Sequence, residues 1–122
     1  MRTKLAIVLV VTVLSVAFIS AYAEDATTVT GEPVDIACYL GGKAGEAHIA
    51  CATACAQKGN PIGIAVKGAD GKEMLYLAMA GGGKQAKDVL SPLMGKQVKA
   101  TGVVTEKGGM KIITIASVEA AK

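Results

Sequence analysis

Between residues 29 and 122 the apolar positions change period several times, and each change marks an element. Val34, Ile36 and Cys38 alternate with Asp35 and Ala37, the period of a half-buried strand with Cys38 on its apolar side. Gly31 and Pro33 interrupt the first half of that strand, as a bulge or sharp bend does where a strand curls around a small barrel. Glu46 to Lys58 has a different grammar. It is rich in alanine and free of Gly and Pro, which predicts a helix of about three turns, stopped by Gly59-Asn60-Pro61. Ile62, Ile64 and Val66 alternate again, Asp70-Gly71 supplies a tight turn, and Met74 to Met79 returns as the partner strand.

Gly81 to Gly83 form a joint, after which Ala86, Leu90 and Leu93 fall at helical spacing, with Pro92 bending or restarting the last turn. Val98 to Glu106 and Met110 to Val118 predict a final hairpin closed at Lys107-Gly108-Gly109, with Gly102 as a second bulge. The order is strand, helix, strand, strand, helix, strand, strand. Five strands with a helix between the third and fourth is the layout of the oligonucleotide/oligosaccharide-binding (OB) barrel. The expected fold is therefore mainly β: a five-stranded OB-like barrel, with a Cys- and His-bearing helix inserted between strands one and two.

Ahead of these elements stands a stretch of another kind. Arg2 and Lys4 give a basic start, Leu5 to Ile19 is an uncharged run broken only by Thr12 and Ser15, and Ala21-Tyr22-Ala23 is an A-x-A cleavage pattern. Residues 1–23 read as a signal peptide and 24–122 as a single domain, exported to the periplasm or the extracellular space. The other reading of the run is an uncleaved anchor. After cleavage no stable membrane span is expected. No Cys follows the cleavage site, which argues against a lipoprotein.

Removing the leader takes Arg2 and Lys4 away and brings the formal net charge from +3 to +1. No basic run is left to track a phosphate backbone, so nucleic acid is not an expected partner. Aromatic content points the same way. Only Tyr39 and Tyr76 remain, too few for the stacking platforms of single-strand or sugar binders. A small domain with a modest core stands to gain from a metal or a disulfide.

The chemistry is concentrated in one third of the chain. It holds one His and three Cys in all, and these are His48, Cys38, Cys51 and Cys55. On a continuous helix at about 100° per residue, Cys51 and Cys55 fall at about 300° and 340° from His48, so the three share one face. The Gly-rich segment 41–45 lets the helix fold back on Cys38. Three thiolates and an imidazole suit a tetrahedral zinc site or Cu(I), which gives one transition-metal ion (zinc or copper) as the expected cofactor.

A structural disulfide is the competing reading, natural in an oxidising compartment. It would join Cys38 to Cys51 or Cys55 and leave one thiol over. In that case the barrel serves as an interaction module for an envelope protein or a small ligand. Thiol exchange is weaker, since C-x-x-C is absent, and C-x-x-C-H for covalent haem is absent too. With one imidazole and no phosphate-binding loop, the only nucleophilic arrangement left is a Cys–His pair of His48 with Cys51 or Cys55, and the expected protein is not an enzyme.

The chain resembles a group of small exported bacterial proteins in which an OB-like barrel carries Asp-x-x-Cys-Tyr followed by His-x-x-Cys-Ala-x-x-Cys. Here those residues are Asp35, Cys38, Tyr39, His48, Cys51, Ala52 and Cys55. The Thr30-Gly31 and Thr101-Gly102 pairs echo the Val-x-Gly strand pattern of exported OB-fold proteins. The resemblance spans nearly all of the mature chain and implies the fold; it brings no activity with it. Asp35, Glu46 and Tyr39 are the polar side chains expected around the Cys/His cluster, as hydrogen-bond acceptors or neighbours rather than ligands.

Overall fold

The computed structural model of the chain describes residues 25–122, and the leader read at 1–23 lies outside them. β1 (Thr27–Asp35) is shared between two neighbours. Its first residues, Thr27–Gly31, pair with β4 (Val98–Lys107), and Glu32–Asp35 pair with β2 (Ile62–Lys67), both antiparallel. The changeover falls at Gly31. A Cβ there would collide with the Ala65 carbonyl, so only glycine lets the strand bend this closely over β2.

β2 turns through Gly68–Lys72 into β3 (Glu73–Ala80), with Gly71 at positive φ and the Asp70 carboxylate accepting from the Lys72 amide at 3.0 Å. β4 and β5 (Met110–Ala120) form the second hairpin across Gly108-Gly109, both at positive φ as a two-residue turn of the primed type requires. β3 runs parallel to β5, and the barrel closes in the order β1-β2-β3-β5-β4. This is an OB-like barrel. The expected bulge is real: Thr101 faces Ser117 while Gly102 faces Ile115, which leaves Ala116 without an opposite.

Alternation along the strands aims Val29, Ile64, Ala78, Ala100, Ile113 and Ile115 into one core. One end is plugged by the segment between β3 and β4. Here α3 (Ala86–Leu90) and a 3-10 turn over Ser91–Leu93, started by Pro92, deliver Leu90 and Met94 to the interior. Among the described residues no helix is long and apolar enough to cross a membrane.

Two expectations need correction between β1 and β2. The strand stops at Asp35, and Ile36 and Cys38, expected to continue it, belong to a short helix α1 (Ile36–Leu40). Asp35 causes the change by capping the helix, its carboxylate accepting from the Cys38 amide. The single helix expected over Glu46–Lys58 is two pieces, a 3-10 turn at Glu46–His48 and α2 (Ile49–Gln57), with His48 at φ −114°, ψ 4° in the joint. Hydrogen bonds at the far end, from Gly59 to the Ala56 carbonyl and from Asn60 to the Cys55 carbonyl, terminate α2 as Gly59-Asn60-Pro61 predict.

Candidate metal centre

The site is built from the point where the barrel strand ends. Asp-x-x-Cys is a capping spacing, because a carboxylate at the N-cap reaches the amide three residues on. It places Cys38 in the first turn of α1. The chain then reverses through Gly42 and Gly45, both at positive φ, and the Gly45 amide donates to Oε1 of Glu32 at 2.7 Å. Glu32 thus ties the returning loop to β1 at the residue that precedes the 3-10 turn.

α2 is held by its small residues. Ala52 and Ala56 are buried against the barrel, while Cys51 and Cys55 lie about 100° around the helix from them. That places the thiols at the border of the packed face. Cys55 is half-buried and Cys51 exposed, and half-buried Cys38 approaches from α1. The three Sγ atoms all lie within 4.8 Å of one another, and all three cysteines are unbridged. Three sulfurs bound to one ion at about 2.3 Å stand about 3.8 Å apart, so the donors need to close by only about an ångström.

The electrostatics follow from the same contacts. The Cys38 thiol is pushed up to about 11, first by the Asp35 carboxylate beside it and then by burial. Burial also raises Cys55, together with the proximity of Cys51. For Asp35, burial works to raise the pKa, but the Cys38 amide and thiol and the Asn60 side chain outweigh it and hold the carboxyl below its ordinary value. Neither the thiol nor Asn60 closes a hydrogen bond on Oδ2, which has no partner by distance and angle.

The structure brings together three of the four expected ligands. His48 is not among the side chains that meet at the cluster. It is half-buried along a crevice with Glu32, Asp35, Lys43 and Gly95. The reason is the joint in the helix: a steady 100° per residue does not run through a 3-10 turn, so the azimuth of His48 relative to Cys51 and Cys55 is lost. Of the three polar neighbours, Asp35 touches Cys38. Tyr39 instead donates to Glu73 on β3 at 2.6 Å, and Glu46 is exposed in the 3-10 turn. Glu32 carries a structural role that sequence reasoning did not assign, and Asn60 lies beside Asp35 besides ending α2 as expected. Glu32 looks like any outward strand residue, and Asn60 reads only as a helix stop.

Fold and site together define a small OB-like barrel whose first inter-strand connection carries three cysteines placed to hold a metal ion. A scan against protein-family models finds no match to this chain, and a search of curated proteins finds none either.

Proposed function

We propose that this protein is an exported, non-enzymatic OB-like module that binds one soft transition-metal ion, zinc or Cu(I), on the thiolates of Cys38, Cys51 and Cys55. The observation that carries the reading is the convergence of three unbridged thiols, from two separate helices, to within 4.8 Å. Thiolate sulfur suits both ions, and three protein donors leave a position for water or a donor from a partner. Export supports it. Thiols this close oxidise readily outside the cytoplasm unless an ion occupies them.

The test is metal content together with a thiol count on protein recovered anaerobically from its native compartment. The expected result is one equivalent of zinc or copper, with three titratable thiols once the ion is removed in denaturant. Metal-free protein showing a single titratable thiol would replace this reading with the disulfide-stapled interaction module.

A further inference from the structure

Asp35 is a buried carboxylate that pairs with no cation among the described residues. It is 1% exposed. One oxygen accepts the Cys38 amide at 2.8 Å, and the other has no hydrogen-bond partner. Lys43 and His48 line the adjoining crevice without pairing with it; the ion pair found among the described residues is Lys111–Glu106, at the β4–β5 hairpin. Burying a carboxylate carries a desolvation cost, and the hydrogen bond that meets it here comes from the Cys38 amide rather than from a cation. Capping does not require the charge, because Asn or Ser would cap as well. The negative charge is therefore a separate feature, and it sits beside the thiols.

We propose that Asp35 is a charge-selecting residue of the three-thiolate centre: its buried carboxylate tilts the site toward a divalent ion such as zinc and against monovalent Cu(I). This rests on the metal reading above. Three thiolates around a monovalent ion carry two net negative charges, and around a divalent ion only one. A fixed negative charge nearby penalises the first complex by one extra unit of repulsion. For two unit charges about 6 Å apart, at an effective dielectric of about 20, such a difference amounts to about a hundredfold in relative affinity. Asp35 lies against the cluster, since its Oδ1 accepts from the amide of Cys38 at 2.8 Å.

The test uses Asp35→Asn, which keeps the size and the capping oxygen and removes the charge, with Asp35→Ser as a second uncharged cap. Zinc and Cu(I) affinities of the full chain and both variants are measured by competition with chromophoric chelators, alongside the melting temperatures of the reduced, metal-free forms. In both variants the ratio of zinc to Cu(I) affinity should fall by about ten- to a hundredfold, while the reduced, metal-free forms still melt cooperatively. A ratio that stays within about threefold of the parent overturns the selection and leaves Asp35 as a helix cap only. If the parent chain binds neither ion, the metal reading falls and this one with it.

Discussion

The Cys38 amide donates to Oδ1 of Asp35 at 2.8 Å, and this one contact turns the end of a barrel strand into the start of the helix that carries the first thiol. The same strand residue is buried in the barrel wall, opposite Ile62 of β2. Anything that holds Cys38 in place therefore also holds the end of β1.

Metal binding should accordingly show up as fold stability. Zinc or Cu(I) at a thousandfold over its dissociation constant adds about 4 kcal/mol to the native state, which for a domain of this size raises the melting temperature by more than about 10 °C. Chelator should reverse the shift. Cys51→Ser and Cys55→Ser should each abolish most of it, while Lys107→Ser, at the exposed hairpin tip, should leave it intact. Calorimetry with and without chelator reads this directly. A curve indifferent to chelator but shifted by reductant would favour the staple.

His48 stands apart from the thiol cluster, so His48→Ala should leave metal affinity within about twofold of the parent, where loss of a direct ligand costs far more. A chromophoric competition assay separates the outcomes, and a hundredfold loss would restore His48 as a ligand.

The reduced, metal-free protein should lose stability in alkali. Cys38 is pushed up from 9.0 to about 11, chiefly by the Asp35 carboxylate beside it, and Tyr39 from 10.0 to about 12, chiefly by its hydrogen bond to Glu73. Both raised values mean that the folded state holds its protons more tightly than the unfolded chain. That contribution is complete below pH 9 and is lost as pH rises toward 11 for Cys38 and 12 for Tyr39. Denaturant midpoints should therefore fall across this window. Cys38→Ser should remove the lower part of the fall and Tyr39→Phe the upper part.

Gly102→Ala should be among the most damaging small substitutions in the chain. The added methyl would collide with the Thr114 carbonyl across the bulge, backbone against backbone, and neither side can swing away. A cost of about 2–3 kcal/mol is expected. Gly108→Ala, at positive φ with open space around it, should cost only about 1 kcal/mol. Urea unfolding of the two variants checks the order.

The barrel could be read from the chain because its signals are local and redundant. Ile62, Ile64 and Val66 alternate, Asp70-Gly71 and Gly108-Gly109 close hairpins, and Gly102 interrupts a strand where the bulge lies. The connection between β1 and β2 was legible only in part. Ile36-Ala37-Cys38 keeps the period of the strand it follows, and one capping carboxylate at Asp35 outweighs that pattern over a single helical turn. The clustering of the three cysteines survived this error, because Cys51 and Cys55 lie on one unbroken α-helix. His48 did not, since a 3-10 joint shifts a side chain around the axis without leaving a mark in composition.

The division of β1 between two neighbours gives the molecule a seam and a hinge point. Fraying Thr27–Gly31 would unzip the barrel along β4 and expose a free strand edge there, yet it would leave the ladder from Glu32–Asp35 to β2 untouched. The thiols hang from that second half, together with the Glu32 tie to Gly45 and the Asp35 cap on Cys38. An opening along that seam would thus leave in place the strand pairing from which the thiols hang.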